Sequence, residues 1–508
     1  MQATLFYKGL LLCLGFCAFV NVWCFCRANK FFEIFYIIWY NRKINFFLIK
    51  KRLALHTIIS VRMQTALFQE LPQELTIESI CENGAEYIEV YEKNNVKYEV
   101  LNVSDVTFKA GTKEPIHSWF RLTPSYSPEL VRFFLDYLDC KKDEIIFDPF
   151  NGKGTTIVEC QKLGYKGVAI ELNPLLFKVT KWSLNWNYDI SKLDEYRNTI
   201  HKKFLLTSPK AKLLSIEEFV NKYKIEIPKI HQPFRWWKDY VLKDLLLIKK
   251  IIHEVVSDSE LDIFNVILSV ISLDCANIHR NHPTISFDDN HRRNISVWEE
   301  FELNFNKMTS DLKEVQKIKD VQKAIIINGD STKLSTYLKK IKIDKLITSP
   351  PYPNRFSYIH TTRPQLFFMD LVEDATEATE LDIKAIGGTW GRATSILMKD
   401  FLEPNSEIAD FLTYIPELRE KTLLMCNYAT KYFNMMHEHI KELKQHVNPG
   451  FKGVYVVGNS RLSGVEICTE IILGKIFERV GFKFDKVVVF RKRGGKKKLY
   501  ETGVCISL

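Results

Sequence analysis

Two short turns in this chain carry residues suited to chemistry. One is Thr348-Ser-Pro-Pro-Tyr352, which follows the short apolar run at 345–347. Two consecutive prolines cannot continue a sheet or enter a helix interior, so the chain leaves the strand as a stiff, extended turn. The turn places a hydroxyl, a carbonyl and a flat ring at the carboxyl end of a strand, the edge where open α/β sheets bind ligands. This arrangement suits holding a planar base by its exocyclic amine while a ring stacks on the base.

The other turn is rich in glycine and follows the apolar run at 144–147. Residues 148–155 read Asp-Pro-Phe-Asn-Gly-Lys-Gly-Thr and lead into a helical pattern, and 166–171 predict a second strand that ends in Glu171. A Gly-x-Gly turn between strand and helix lets a ligand approach the backbone, and an acid closing the next strand can bind ribose hydroxyls. The glycine turn alone is a weak signal. Combined with Glu171 and the proline turn, it predicts a site for a nucleoside-containing cofactor.

Together these turns resemble the motifs of the S-adenosylmethionine-dependent DNA amino-methyltransferases, which modify N4 of cytosine or N6 of adenine. Residues 148–155 resemble the cofactor motif of that family, and 348–352 resemble its catalytic motif. Residues 117–131 resemble the element that precedes the cofactor motif and closes over the methionine end. Gly329-Asp330-Ser331 resembles the site where an acid meets the adenine amine of the cofactor.

The resemblance implies a role for individual residues. The residues implied in binding S-adenosylmethionine are Asp148, Phe150, Gly152, Gly154, Thr155, Glu171 and Asp330. The implied catalytic set is Ser349, Pro350, Pro351 and Tyr352. The Ser349 hydroxyl and the Pro350 carbonyl would hold the target amine, and Tyr352 would stack on a base flipped out of the duplex. In-line positioning can supply much of the acceleration without a strong general base, and no metal belongs to the predicted site.

The implied fold is a Rossmann-like α/β fold: a seven-stranded methyltransferase sheet with a terminal antiparallel hairpin and a large, mainly helical insertion. The matching segments 117–180 and 323–508 form the predicted catalytic domain. Residues 181–322, rich in long apolar and basic helical patterns, are the predicted insertion and the candidate target-recognition region. Residues 63–116 predict a β-rich segment of unassigned chemistry, including a hairpin that turns at Asn94-Asn95.

The formal net charge of +10 is concentrated at one end of the chain. Residues 1–62 hold nine Lys and Arg and one acid, so the remainder is close to neutral and any affinity for nucleic acid must come from local patches. The loop 279–293 mixes cations, amides and an aromatic ring, as a groove-contacting loop would, although a solvated loop remains the alternative. Its histidines lack the spacing of a zinc site. Trp236-Trp237 is assigned to the core of the helical region rather than to base stacking. The predicted DNA contacts are Arg280, Arg292 and Arg293.

The first 62 residues differ from the rest. Residues 9–26 carry no charge and have basic flanks, a pattern typical of a transmembrane or signal-anchor segment. The favoured interpretation is a start of translation at Met63, where a normally mixed sequence begins; the protein would then be cytoplasmic. A membrane anchor remains the alternative if residues 1–62 are translated. The other seven cysteines are scattered without metal-ligand spacing, which fits reduced thiols in the cytosol.

The predicted function is a site-specific DNA methyltransferase of a restriction-modification system. Its predicted partners are double-stranded DNA with a flipped target base and a cognate restriction endonuclease. Ser349 stands where many adenine enzymes of the family have Asp, which favours cytosine N4 over adenine N6. One alternative is an RNA base methyltransferase, which shares the cofactor fold. Another is a membrane-tethered nucleic-acid-binding protein with an inactive methyltransferase fold, against which the intact Ser349, Tyr352 and Glu171 argue.

Overall fold

A mixed β-sheet runs through the part of the chain that the structure describes. In chain order the strands are β1 (Glu89–Lys93), β2 (Val96–Val100), β3 (Ile145–Asp148), β4 (Lys166–Glu171), β5 (Ile325–Asn328), β6 (Ile343–Thr348), β7 (Val447–Gly458), β8 (Ser460–Leu462), β9 (Val465–Ile467), β10 (Lys483–Arg493) and β11 (Leu499–Ser507). Nine of them form one sheet in the order β1-β2-β10-β11-β7-β6-β3-β4-β5, while β8 pairs with β9.

The computed structural model describes a defined set of residues within the unit Ile77–Leu508. They are 89–93, 96–101, 103, 106–279, 285–288, 294–493 and 499–508. The leader 1–62, the hairpin turn Asn94-Asn95 and the three predicted DNA contacts Arg280, Arg292 and Arg293 lie outside the described residues. No helix within these ranges is both long and apolar enough to cross a membrane.

The sheet confirms the predicted fold class and adds two strands to it. Strands β3 to β7 are parallel to one another, and β11 pairs antiparallel with both β7 and β10. This is the seven-stranded arrangement with a terminal hairpin. The hairpin β1-β2 extends the sheet because β2 pairs parallel with β10 along Val487–Val489. The central strands are short apolar runs, as expected where helices cover both faces of a parallel sheet.

Helices connect and cover the strands. They are α1 (Phe108–Gly111), α2 (Pro128–Tyr137), α3 (Thr155–Leu163), α4 (Pro174–Ser183), α5 (Ile190–Lys212), α6 (Ile216–Tyr223), α7 (Pro233–Trp236), α8 (Asp239–Val255), α9 (Leu261–Asp274), α10 (Val297–Val315), α11 (Leu334–Leu338), α12 (Tyr358–Phe368), α13 (Ala375–Lys384), α14 (Arg392–Leu397), α15 (Ile415–Lys421), α16 (Leu423–Lys444) and α17 (Thr469–Val480). Helices α5 to α10 lie between β4 and β5 and confirm the mainly helical insertion.

The insertion shares one apolar core with the elements beside the sheet. Its cluster includes Ile157 of α3, Val179 of α4, Phe264 of α9, Phe305 of α10 and Leu366 of α12, all essentially inaccessible to solvent. Burying each such side chain contributes about 1.5–3 kcal/mol. Helix α12, which follows the proline turn, is therefore packed against the insertion.

A buried ion-pair cluster fastens the segment before the glycine turn to α3. Glu159 is buried and pairs with His117 (2.6 Å), Arg132 (2.9 Å) and Lys162 (2.8 Å). The possible ligand atoms of Glu114, His117 and Glu159 lie within 4.8 Å of one another, a spacing that a metal ion would also accept. Because Arg132 and Lys162 already pair with these carboxylates, we assign the cluster to ion pairing.

We expect Glu159→Ala to lower the free energy of unfolding by about 3–5 kcal/mol, because it removes the buried carboxylate that His117, Arg132 and Lys162 share. Glu129→Ala is the matched control. Glu129 pairs with the same Arg132 from a side chain that is 47% exposed, so its loss should cost about 1 kcal/mol or less. Urea denaturation of both variants measures the difference. Equal small losses would show that the cluster does not fasten the segment.

Candidate active site

The glycine turn enters α3 through left-handed backbone. Gly152 has φ +56° and Gly154 has φ +89°, a region that residues with a Cβ rarely adopt. A Cβ at Gly154 would also lie 2.7 Å from Cγ2 of Thr180 on α4. The backbone of the turn therefore packs closely on α4, which only glycine allows at this position.

Glu171 closes β4 and receives the backbone of this turn. Its Oε2 accepts the N–H of Gly152 (2.7 Å), and its Oε1 accepts the N–H of Asn173 (2.8 Å). Burial raises the pKa of Glu171 to about 7, against a usual value of 4.5. A carboxylate has about four acceptor positions, so two hydrogen bonds leave capacity for donors from a ligand.

Asp148 joins the ends of β3 and β6. Its Oδ1 accepts hydrogen bonds from Thr348 Oγ1 (2.5 Å) and from the N–H of Phe150 (3.1 Å). Its Oδ2 accepts one from the Tyr126 hydroxyl (3.1 Å). The carboxyl is fully buried, and burial raises its pKa. Asp148 thus ties the glycine turn to the proline turn, although it does not line the cleft between them.

That cleft opens at the carboxyl ends of β3 to β6, with about 850 Å³ of empty space. Seven of the residues predicted from the sequence line it: Phe150, Gly152, Thr155, Glu171, Asp330, Ser349 and Pro351. The segment 117–131 supplies part of the wall through Leu122, Pro124, Ser125 and Tyr126. Seven of the eleven predicted cofactor and catalytic residues therefore meet in one cavity.

Four predicted residues lie outside the lining: Asp148, Gly154, Pro350 and Tyr352. Tyr352 is anchored by the terminal hairpin. Its hydroxyl donates to Glu501 Oε1 (3.1 Å), Arg491 Nε donates to Glu501 Oε2 (2.8 Å), and the Arg493 guanidinium lies 5.2 Å from the centre of the Tyr352 ring. Burial raises the pKa of Tyr352 well above its usual range, and Ser349 hydrogen-bonds to the same hydroxyl. These contacts hold the ring of Tyr352, the last residue of the proline turn, in a defined orientation.

Other lining residues were not singled out from the sequence. They include Asn151, Asn173, Tyr358 and the segment 384–386. The buried Asn151 donates from Nδ2 to Thr180 Oγ1 (2.9 Å), but its Oδ1 has no hydrogen-bond partner among the described residues. Asn151 lies inside the glycine motif, where a polar amide was a usable signal. Segment 384–386 belongs to no motif. The glycines that follow it, Gly387-Gly388, are the signal that another group could approach the backbone closely here.

The polar groups of the cleft fit a nucleoside cofactor with hydroxyl and amine donors. Asp330 follows β5, and its Oδ1 accepts both hydrogen bonds from Thr332 (2.9 Å from N, 2.8 Å from Oγ1). Its other oxygen can therefore accept an exocyclic amine. Glu171 keeps acceptor capacity for ribose hydroxyls, and the unpartnered Asn151 Oδ1 is a third acceptor. A buried acceptor without a protein partner, such as Asn151 Oδ1, is rare, so together with the spare capacity of the two acids it points to a bound donor-rich molecule.

Comparison with known proteins finds similarity to DNA methyltransferases. A family model described as DNA methylase, of the N6/N4 type, matches residues 27–181, which include β3, the glycine turn and β4. The type II methyltransferase M.MvaI of Kocuria varians is 24% identical over 388 residues, covering 72% of this chain and 82% of the relative. M.BsoBI of Geobacillus stearothermophilus is 23% identical over 456 residues, covering 80% and 86%. The family model and these relatives support the resemblance of this chain to the N6/N4 DNA amino-methyltransferases.

Among solved structures, the rRNA methyltransferase aviRa of Streptomyces viridochromogenes superposes on this chain with a TM-score of 0.26. The two are 8% identical, and the match covers 80% of this chain and 93% of the other. A superposition at that score carries no argument about fold or function. The sheet order and the cleft stand on the geometry given above.

The pKa of Glu171 predicts a pH dependence of cofactor binding. Ribose hydroxyls donate to the ionised carboxylate, which predominates only above pH 7 because burial raises the folded-state pKa to about 7. The affinity for S-adenosylmethionine should therefore fall about tenfold between pH 8 and pH 6. Isothermal titration calorimetry across this range measures it.

Glu171→Gln is the control for that titration. It keeps the shape of the side chain but cannot ionise, so binding should be weaker at pH 8 and its dependence on pH should disappear. In the wild type without cofactor, the free energy of unfolding should change with pH in the opposite sense. Because burial raises the pKa of the Glu171 carboxyl, this group stabilises the fold below pH 4.5, and that contribution is lost as the pH rises through 7. An unchanged pH profile in Glu171→Gln would remove this carboxylate from the cofactor site.

Proposed function

We propose that this chain is a site-specific DNA methyltransferase that moves a methyl group from S-adenosylmethionine to an exocyclic base amine in a restriction-modification system. One observation carries the proposal: Ser349 and Pro351 of the proline turn line the same cleft as Gly152, Glu171 and Asp330. A base-holding turn that faces a cofactor surface within one cavity suits direct transfer between two bound molecules. The curated relatives, named type II methyltransferases, support DNA as the substrate.

The chain's task is to position a poor nucleophile. An exocyclic amine has a lone pair delocalised into the base, and S-adenosylmethionine supplies an electrophilic methyl group on a sulfonium. Ser349 Oγ and the Pro350 carbonyl accept the amine N–H groups, which favours a pyramidal nitrogen with its lone pair directed at the methyl. Holding the reacting atoms in line supplies much of the acceleration, because the encounter is then effectively unimolecular.

Tyr352 completes the base site in this proposal. Its ring stacks on the extruded base. This stacking contributes about 1–3 kcal/mol and offsets part of the free energy that the base needs to leave the duplex. The hydrogen bond to Glu501 and the neighbouring Arg493 hold the ring plane before a base arrives. A ring fixed in advance loses less conformational entropy on binding.

A second, larger cleft supports DNA as the partner. About 1710 Å³ of empty space lies between the segment before the glycine turn, helices α9 and α10 of the insertion, and α12. Among the described residues, its lining includes three cations, Lys109, Arg121 and Lys307, and one carboxylate, Asp274. A wide groove with excess positive charge suits a phosphate backbone. Leu122 lines both this cleft and the active-site cleft, so a strand bound here would pass beside the proline turn.

The finer assignments follow from the same proposal. Serine at position 349 favours cytosine N4 as the acceptor over adenine N6. Segments 117–180 and 323–508 form the catalytic domain, and 181–322 recognises the target. The expected compartment is the cytoplasm, because a modification enzyme must reach the DNA. Methylome sequencing of a methylation-free host that expresses the chain reports the base, its position and the motif together.

We expect Ser349→Ala to lower the rate of methyl transfer about 100-fold while leaving S-adenosylmethionine affinity within twofold, because the missing acceptor matters most as the nitrogen becomes pyramidal. Ser395→Ala, at an exposed serine of α14, is the matched control. Transfer of tritiated methyl groups to duplex DNA and to RNA in parallel measures the rate and the substrate class. Transfer to RNA alone would replace the DNA assignment by the RNA alternative.

Tyr352 allows the role of the ring to be separated from that of its hydroxyl. Tyr352→Ala should abolish transfer, whereas Tyr352→Phe should retain activity within about tenfold, since Phe keeps the stacking face and loses only the hydrogen bonds of the hydroxyl to Glu501 and Ser349. The same tritium assay, at saturating cofactor, compares the two. If the Phe variant proved as inactive as the Ala variant, the hydroxyl and not the ring would be the functional group.

A further inference from the structure

A third cavity, of about 620 Å³, lies beside α12 and is separate from the two clefts. Trp236, Phe287, His360, Arg363 and Trp390 line it, and we call it the aromatic pocket. Along α12, positions 359, 363 and 367 face this pocket, whereas 361, 362 and 365 face the large cationic cleft. At 100° per residue these sets lie on opposite sides of the helix. The helix after the proline turn is thus bordered by distinct cavities.

The walls of the aromatic pocket are flat rings. The Trp236 and Phe287 rings meet edge to face with centroids 4.6 Å apart, and the His360 ring lies 4.5 Å from that of Trp390. Burial lowers the pKa of His360 to about 4, so its imidazole is neutral at pH 7 and offers one donor and one acceptor. Such walls suit a planar heterocycle.

Arg363 is the unusual group in the pocket. Its guanidinium carbon lies 4.7 Å from the Trp390 ring centroid and 5.1 Å from that of Trp236. Its Nε is buried without a hydrogen-bond partner, and no described carboxylate pairs with the side chain. Burial lowers the pKa of Arg363 with no compensating acid. Buried donors normally have a hydrogen-bond partner, so the unpartnered Nε of this half-buried cation is prepared for an acceptor that comes from a ligand.

The pocket is mechanically joined to the proline turn. Asp382 accepts the N–H of Trp390 (2.7 Å) and the hydroxyl of Ser357, and Ser357 caps α12 through the N–H of His360 (3.0 Å). Ile359 lines both the aromatic pocket and the active-site cleft. A ligand in the pocket therefore contacts the helix that starts just beyond Tyr352.

We propose that the aromatic pocket binds an unstacked guanine of the DNA recognition sequence, distinct from the target base. Arg363 donates hydrogen bonds to guanine O6 and N7, the acceptor pair that arginine reads best, and the indole and imidazole rings hold the base plane. The target base itself belongs to the other cavity, where Ser349 lies. A phosphate would need no aromatic walls and would gain nothing from a neutral histidine. The inference rests on the proposed DNA methyltransferase function.

Arg363→Met tests the pocket, with Arg392→Met as the control at an exposed arginine of the neighbouring α14. Methylome sequencing first gives the wild-type motif. Arg363→Met should then methylate sites in which one guanine of the motif is replaced, while Arg392→Met keeps the full motif. A wild type that methylates no DNA would contradict the proposed function itself, whereas a full motif in Arg363→Met would overturn only the pocket.

A binding measurement gives a readout independent of activity. The duplex carries 7-deazaguanine, which lacks the N7 acceptor, at each motif guanine in turn. Wild type should lose about tenfold or more in affinity at one position, and Arg363→Met should show no further loss there. Equal losses for both proteins at every position would overturn the assignment.

Thermal stability separates this role from a structural one. Arg363→Met removes an unpaired, partly dehydrated cation, so the melting temperature of the free protein should stay the same or rise. A lower melting temperature together with an unchanged motif would make Arg363 a structural residue and overturn the proposal.

Discussion

The buried carboxylate of Asp148 is the point on which the arrangement of the site depends. A carboxyl group without solvent must find donors within the protein, and here they come from three separate segments: Thr348, Tyr126 and the backbone of Phe150. Satisfying Asp148 therefore brings together the proline turn, the segment before the glycine turn and the glycine turn itself. Because β3 and β6 are neighbours at the point where the strand order reverses, these donors are within reach.

Helix α12 connects this centre to the inserted helices. It begins shortly after the proline turn, packs its apolar side chains into the core of the insertion, and borders the active-site cleft, the cationic cleft and the aromatic pocket. Close-packed interiors transmit small displacements, so occupancy of a cavity beside α12 bears on the position of Ser349 and Tyr352. The inserted helices and the proline turn are thus connected through one packed helix.

Buried polar groups of this protein are of two kinds, those that are paired within the protein and those that are not. In the cluster around Glu159 every buried charge has partners, which suits a fastening role. Three residues differ from this cluster. Burial raises the pKa of Glu171, and Asn151 Oδ1 and Arg363 Nε have no hydrogen-bond partner among the described residues. Such groups cost stability in the free protein. The cost is recovered when a ligand supplies the missing hydrogen bonds, which is why they lie in cavities.

The sequence alone was enough to predict the sheet, the helical insertion and seven of the residues that line the active-site cleft, because these depend on local patterns: apolar runs, glycines at a strand-to-helix turn, consecutive prolines after a strand, and an acid closing a strand. It could not place 384–386 in the cleft or connect Tyr352 to Glu501, since no local rule relates residues so far apart in the chain. Trp237 is in the core as predicted, its indole N–H donating to the carbonyl of Ser272, whereas the adjacent Trp236, though buried, also lines the aromatic pocket. The tertiary packing of α7 beside α12 decides which tryptophan lines the pocket. The sequence cannot show this, because two adjacent tryptophans give the same pattern whether they face a core or a cavity.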